Sequence, residues 1–269
     1  MIPNVLSIAG TDPTGGAGIH ADLKSIAAAG GHGMAVVTSL VAQNTLGVRS
    51  IHTPPPEFLY EQLLAVSDDV RIDALKVGML GSPGIIAVVK RWLEEVKPEH
   101  VVIDPVMVTT SGHRLLSPEA ENSLREVLPA ATMITPNVPE LAVLANVSRE
   151  TIKNLEQAIQ IAQHLAEQFD VQVVVEAGHL SGPEAGNALV NKQGVLATAP
   201  SQRVETNNTH GTGCSLSSAL ATRLGMGETP AEALRWATDW LHGAIVHAEA
   251  LSVGQGNGPV HHFWRQEVQ

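Results

Sequence analysis

Short β-branched runs alternate with longer amphipathic segments along the whole chain, and that alternation admits few folds. Consecutive parallel strands need a long crossover, and a helix lying on a face of the sheet supplies it. Runs at Val5–Ala9, Met34–Thr38, Ala74–Val77, Val101–Ile103, Thr132–Ile134 and Val171–Val175 read as strands of such a sheet. The spacing predicts helices over Gly18–Ala29, Pro56–Asp68, Pro83–Val96, Pro118–Val127, Ile152–Phe169, Thr212–Leu224 and Pro230–Leu251. Ser82-Pro83 and Ser117-Pro118 each offer an N-cap oxygen followed by a φ already set for the first turn. Gly186–Val190 and Gly194–Ala197, joined by Asn191-Lys192-Gln193, read as a hairpin extending the sheet at an antiparallel edge. The expectation is an α/β fold with a mostly parallel sheet, in one domain over residues 1–269, because no linker, charge block or fixed-period repeat divides the chain.

Charge narrows the partners. Acidic residues outnumber basic ones 27 to 16, a formal charge of −11, which argues against nucleic acid or an anionic membrane as the main partner. Phosphate chemistry stays open, since backbone N–H groups or Mg²⁺ can supply a local positive field. Cys214 is the only cysteine, so an internal disulfide and a multi-cysteine metal site are excluded and a cytoplasmic location is expected. The start, Met1 to Pro13, lacks the basic region of a signal peptide, and no run reaches membrane-spanning length.

Glycine and polar residues collect just after the strands, at Gly10–Gly18, Gly78–Gly81, Asp104–Gly112, Pro136–Glu140 and Gly178-His179. Open parallel sheets bind ligands outside the carboxyl ends of their strands, so these five loops are expected to meet in one cleft. Asn207-Asn208-Thr209-His210-Gly211-Thr212-Gly213-Cys214 is the strongest local signal, a glycine turn opening an apolar helix. Free N–H groups of Gly211, Gly213 and Cys214 at that helix start can hold a phosphoryl group as charge develops on it. Cys214 sits where the helix field lowers a thiol pKa and can serve as a base, or it is simply a small residue that fits. His210 either orients phosphate or caps the turn.

Gly16-Ala17-Gly18-Ile19-His20-Ala21 fits G-x-G-x-x-A nominally, but it comes late after the first strand, and Val36-Val37-Thr38-Ser39 offers no acid for a ribose. A loop closing on a small ligand is the better reading. Asp22 and Gln43 have the donors and acceptors to read a heterocycle edge, with Met79 as an apolar wall or plain core filling. Asp104 stands at the carboxyl edge of the sheet. Asn137 and Glu140, three apart, share a helix face and either hold Mg²⁺ with Asp104 or form a capping box.

Taken together the motifs resemble the hydroxymethylpyrimidine/phosphomethylpyrimidine kinases of thiamine synthesis, within the ribokinase-like superfamily. They are Ile8 to Gly18 continuing through Ala21-Asp22-Leu23-Lys24, Val41-Ala42-Gln43-Asn44-Thr45, Val77-Gly78-Met79-Leu80, Asp104-Pro105-Val106-Met107, Thr135-Pro136-Asn137, Asn208 to Cys214, and Gly258-Pro259-Val260-His261-His262. The resemblance implies a three-layer α/β/α fold, a homodimer, ATP and Mg²⁺ as cofactors, and two successive phosphorylations. The acceptors would be 4-amino-5-hydroxymethyl-2-methylpyrimidine and then its monophosphate. It implies that Asp22 and Gln43 bind the aminopyrimidine, with Gly10, Ala17, Val41, Met79 and Val106 around the ring. By the same resemblance Cys214 stands at the position of the base, and Gly211, Thr212 and Gly213 form the anion hole. Asn137 and Glu140 match an N-x-x-E element near Mg²⁺, with Asp104 beside the phosphates, as ligand to nucleotide and metal, and His210 near the nucleotide.

The departures all remove positive charge. The family's V-M-V-A-K-S-G-D is Val106-Met107-Val108-Thr109-Thr110-Ser111-Gly112-His113 here, its K-G-G-H is Glu176-Ala177-Gly178-His179, and its T-K-N-T-H is Thr206-Asn207-Asn208-Thr209-His210. If Glu176 faces the nucleotide, attraction is replaced by repulsion unless the side chain points away or a cation bridges it. A vitamin B6 kinase and a non-catalytic pyrimidine-binding protein are the competing readings.

Overall fold

In the computed structural model, which describes residues 1–107 and 116–266, the chain alternates strand and helix almost throughout. The elements run β1 (Asn4–Ala9), α1 (Gly18–Ala28), β2 (His32–Val37), β3 (Leu40–Asn44), β4 (Gly47–His52), α2 (Pro56–Ser67), β5 (Ala74–Val77), α3 (Pro83–Val96) and β6 (Val101–Ile103). They continue with α4 (Pro118–Val127), β7 (Met133–Ile134), α5 (Val138–Ala145), α6 (Leu155–Phe169), β8 (Gln172–Glu176), β9 (Asn187–Asn191), β10 (Gly194–Ala199), α7 (Thr212–Gly225) and α8 (Pro230–Val246).

Eight strands form one sheet in the order β10-β9-β8-β7-β6-β5-β1-β2. Pairing is parallel from β2 across to β8, and antiparallel for β8–β9 and β9–β10, so the expected hairpin edge is present. The strands' two-residue period sorts the core into two layers. Leu6, Leu75, Val101, Ile134 and Val173 pack toward α2–α6, whereas Val5, Ala74, Val102, Met133 and Val174 pack with the apolar faces of α1, α7 and α8. The architecture is the expected three-layer α/β/α sandwich. From β1 the chain steps outward to β2 and then crosses back to β5, leaving a crevice at the carboxyl ends of β1 and β5.

Some boundaries move for local reasons. The helix expected from Ile152 begins at Leu155, because the Asn154 side chain accepts from Gln157 N and caps it. The last helix stops at Val246 rather than Leu251 and passes into a 3₁₀ turn, Ala248–Ala250. The unforeseen element is the β3–β4 hairpin. Among the described residues it pairs only with itself, and every residue of β4 is exposed, so no buried-face alternation announces it. Among the described residues no helix is long and apolar enough to cross a membrane.

Candidate active site

Asp12, buried just after β1, organises the glycine loop that follows. One carboxylate oxygen accepts from Thr14 N and Oγ1 at 3.0 and 2.8 Å; the other accepts from Gly16 N at 3.1 Å and Ala17 N at 2.8 Å. His210 Nε2 lies 2.8 Å from the same oxygen. Burial alone would raise the Asp12 carboxyl, but the hydrogen bonds from His210 and Thr14 hold it well below the usual carboxylate range. This pair fastens the loop before α1 to the start of α7, with His210 N donating to Gly258 O at 3.0 Å. His210 lines the cavity, with its Nε2 committed to Asp12.

Gly211 makes the turn into α7 at φ 80°, and a Cβ there would lie 1.8 Å from Gly16 O, so the two loops can cross only at glycine. Gly213 and Cys214 then stand in a first turn whose N–H groups have no intrahelical acceptor. All of Gly211, Thr212, Gly213 and Cys214 line a cavity of about 630 Å³. The five strand-end loops meet there, through Gly10 and Ala17, Met79, Asp104 and Val106, Asn137 and Glu140, and Gly178 and His179. The β3–β4 hairpin adds Val41, Gln43, Val48 and Ile51 to its wall, and Ser201–Thr206 and the Thr238–Ile245 face of α8 also line it.

Asp22 departs from expectation. Its side chain is fully buried and absent from the cavity wall. Ser7 Oγ donates to it at 2.6 Å, Lys76 Nζ at 2.8 Å and Ser218 Oγ at 2.9 Å. The helical turn that carries Asp22 faces β1, β5 and α7 rather than the cavity, so direct ligand contact is withdrawn for this residue. Lys76, which sequence reasoning missed, is the partner it found. A single charge inside the apolar strand Ala74-Leu75-Lys76-Val77 was the available signal.

Burial pushes the Cys214 thiol up to about 12; Lys76 and the Gly18 N–H act downward, Asp22 and Asp104 upward. The helix field expected to lower it is therefore outweighed by desolvation. Asp104 lies 4.0 Å from Lys76 Nζ and accepts from Ser217 Oγ at 3.4 Å; burial raises its carboxyl despite the lysine. Asn137 and Glu140 form the reciprocal capping box, Glu140 N to Asn137 Oδ1 at 3.0 Å and Asn137 N to Glu140 Oε2 at 3.1 Å. Glu140 Oε1 also accepts from Met107 N at 3.3 Å, and burial followed by Asp104 raises this carboxyl well above its ordinary value.

Glu176 does not point away. The point a Cβ on Gly213 would occupy is 3.7 Å from Glu176 Oε1 and 3.8 Å from Asp104 Oδ2, so both acids face the first turn of α7. Burial, then Asp104, raises Glu176 well above the usual range. Asn207 is exposed and off the cavity wall, and Thr110 and His113 lie outside the described residues. Arg203, also missed, lines the far end but spends its guanidinium on the carbonyls of Gly178, Leu180, Gly182 and Glu184.

A mostly parallel α/β/α sheet whose strand ends meet the glycine start of a late helix is the build of the ribokinase-like vitamin kinases. The solved ADP complex of Bacillus subtilis pyridoxal kinase superposes with a TM-score of 0.90 at 31% identity, covering 99% of each chain. Phosphomethylpyrimidine kinase from Clostridium difficile superposes with a TM-score of 0.78 at 35% identity, over 90% of this chain and 99% of that one. The chain itself belongs to the phosphomethylpyrimidine kinase family, whose model matches residues 12–261. It is 43% identical to the hydroxymethylpyrimidine/phosphomethylpyrimidine kinase of Escherichia coli over 97% of both chains. It is 56% identical to the thiamine biosynthesis multifunctional protein ThiED of Corynebacterium glutamicum, over 97% of this chain but only 34% of that protein.

Proposed function

We propose that the chain transfers the γ-phosphoryl group of ATP to the hydroxymethyl oxygen of 4-amino-5-hydroxymethyl-2-methylpyrimidine, and then phosphorylates the monophosphate to the diphosphate. The supporting observation is one continuous cavity whose wall brings together Gln43, the apolar Val41, Met79 and Val106, the α7 start from Gly211 to Cys214, and the carboxylates of Asp104, Glu140 and Glu176. Gln43 would donate and accept in one plane against the aminopyrimidine edge, and Gly10 and Ala17 leave room for the ring. The N–H groups of Gly211, Thr212 and Gly213 would hold the transferring phosphoryl oxygens. Cys214 would take the hydroxymethyl proton as the oxygen attacks in line.

Mg²⁺ fits this wall only as an ion carried on the nucleotide. No three His, Cys, Asp or Glu side chains converge on one point among the described residues, and half of Glu140's capacity serves the α5 cap. Asp104 and Glu140 would hold the ion through its waters, as suits a cation that keeps several of them. Bound there, it would offset phosphate charge. Asn137 and His210 would border the phosphates from opposite sides.

Leu40, Leu46, Val48 and Ile51 on the exposed hairpin support a homodimer that covers them, to be checked by light scattering on the eluting protein. A vitamin B6 reading is favoured by the close superposition on pyridoxal kinase. ADP release with hydroxymethylpyrimidine and with pyridoxine separates the two: the proposal expects the higher kcat/KM for the pyrimidine, and a preference for pyridoxine would reverse it.

A further inference from the structure

Gln43 reaches the cavity from the β3–β4 hairpin, an element that packs into neither core layer. The hairpin's register shifts between Ala42 and Gln43, so Val41 stands opposite Ile51 and Gln43 opposite Val48, although Val48 and Ile51 are three residues apart. All four line the cavity, which a strict two-residue period would not allow. At the base of the hairpin Val41 N donates to Thr11 Oγ1 at 2.9 Å, and Ser39 Oγ lies 3.1 Å from Thr53 Oγ1. Since every residue of β4 is exposed, burial does little to hold the rest of it in place.

The tip is the two-residue turn Thr45-Leu46 between the paired Asn44 and Gly47. Among the described residues, the hydrogen bonds that leave this tip for the rest of the chain are made by Thr45. Its Oγ1 accepts from Gly256 N at 3.2 Å, and its carbonyl oxygen accepts from Asn257 N at 3.1 Å. A Cβ on Gly254 would collide with the Thr45 side chain and one on Gly256 with the Thr45 carbonyl, so glycine stands where the tip rests. The same segment then runs to the α7 start. Gly258 O accepts from His210 N at 3.0 Å, Pro259 forms a β-bridge with His210, and His262 Nε2 lies 3.0 Å from Ser215 Oγ in the first turns of α7. His261 N donates to Ala244 O at 2.9 Å, which fixes the segment on α8 as well. Two of the sequence motifs, Val41 to Thr45 and Gly258 to His262, are thereby joined, and residues 254–262 form a strap between hairpin tip and α7.

We propose that Thr45 is a positioning residue for the acceptor: by seating the hairpin tip on the Gly254–His262 strap, it holds Gln43 at a fixed place relative to the first turn of α7. This rests on Gln43 reading the aminopyrimidine edge. Thr45 itself is off the cavity wall, so it acts through Gln43 and not on the ring. A hairpin loose at its tip still presents the amide, but over a spread of positions. Ring capture then weakens, and the hydroxymethyl oxygen reaches the line of attack less often. ATP meets the chain through other loops and binds as before.

Thr45→Val keeps the branched shape but removes the oxygen that accepts from Gly256 N, and Gly256→Ala breaks the same contact from the strap. Each is expected to raise the pyrimidine KM about five- to tenfold, the loss of one hydrogen bond's worth of binding, with the ATP KM and the melting temperature unchanged. Calorimetric Kd values serve in place of KM if the wild type binds the pyrimidine without turning it over. Because both changes break one contact, the double variant should be no worse than the poorer single one. Thr45→Ser, which keeps the hydroxyl, should recover most of the pyrimidine KM. Hydrogen exchange of the β3 and β4 amides needs no substrate, and it should quicken in Thr45→Val and Gly256→Ala but not in Thr45→Ser. If Gly256→Ala fails to fold, the contrast between Thr45→Val and Thr45→Ser decides the matter. A wild-type pyrimidine KM in Thr45→Val and Gly256→Ala overturns the proposal: through the strap when exchange is also unchanged, and through the contact of Gln43 with the ring when exchange has quickened. An ATP KM that rises in step, or a lowered melting temperature, overturns it too, since Thr45 would then serve the fold at large.

Discussion

Among single residues, Gln43, Cys214 and Glu176 bear most on recognition and transfer. Gln43→Ala would leave the donor and acceptor groups of a neutral pyrimidine unmatched, a loss of about 1–3 kcal/mol, so kcat/KM for the alcohol should fall roughly 10- to 100-fold. Steady-state kinetics check it, and an unchanged kcat/KM would move ring recognition elsewhere. Cys214→Ala keeps the backbone donors of α7 and should lower kcat by about 10²–10⁴ with little change in KM. A base must be unprotonated to act. Since burial pushes this thiol up to about 12, wild-type kcat should rise close to tenfold per unit from pH 6 to 9. A flat profile there would show that the thiol takes no proton. Glu176, with its carboxyl raised and its oxygens facing Gly213, should be largely neutral at low pH and repel the nucleotide as it ionises. Glu176→Lys is therefore expected to lower the KM for ATP several-fold and to weaken its dependence on Mg²⁺, both read from a metal titration. Of the other two departures, Asn207 carries no comparable expectation because it is exposed and off the cavity wall, and Thr110 lies outside the described residues.

At the scale of elements, the α7 start is held by its neighbours as much as by its own sequence. Ser215 Oγ lies 3.0 Å from His262 Nε2, and Trp240 Nε1 donates to His262 O at 3.3 Å, so the segment after α8 braces α7 from below. Burial, with Lys24 nearby, lowers His262 from 6.5 to about 3. Between those values the unfolded chain binds a proton that the folded chain refuses, so stability falls as pH drops below 6.5, by up to about 1.4 kcal/mol per pH unit. His262→Asn should flatten this acid limb in denaturant melts from pH 7 to 4; an equally steep limb would place the titration in other groups. Strand and helix order was legible because the sheet's strands are short apolar runs and the crossover helices α2–α6 carry caps or a Pro start, whereas α1 is announced only by the glycine loop before it. The β3–β4 hairpin was not, since β4 is exposed throughout and the residues the hairpin turns inward, Val41, Gln43, Val48 and Ile51, line the cavity, so no period marks it.

For the whole molecule, the meeting of five loops in one cavity was legible, because a parallel sheet sends every strand's carboxyl end to the same edge. What lies behind that edge was not. A sequence places Asp22 one turn into a helix that begins at the cleft, but only packing decides whether that turn faces ligand or core, and here the core won through Ser7, Lys76 and Ser218. Asn137 and Glu140 illustrate the same limit: the three-residue spacing fits a capping box and a metal wall equally, and the folded chain builds the box while leaving both residues on the cavity. The charge departures were fully visible in the sequence, whereas the buried Lys76 that pairs with Asp22 was visible only as a lone charge within an apolar strand.

On the proposed reading this cavity carries out both phosphorylations of the pyrimidine despite its acidic wall. Phosphorus NMR of the purified chain incubated with hydroxymethylpyrimidine, ATP and Mg²⁺ tests it directly. The account predicts a monophosphate signal that rises and is then consumed as diphosphate resonances grow, with ADP formed once per transfer. A chain that binds the pyrimidine yet leaves ATP intact, or that stops at the monophosphate when given that compound as substrate, would contradict it.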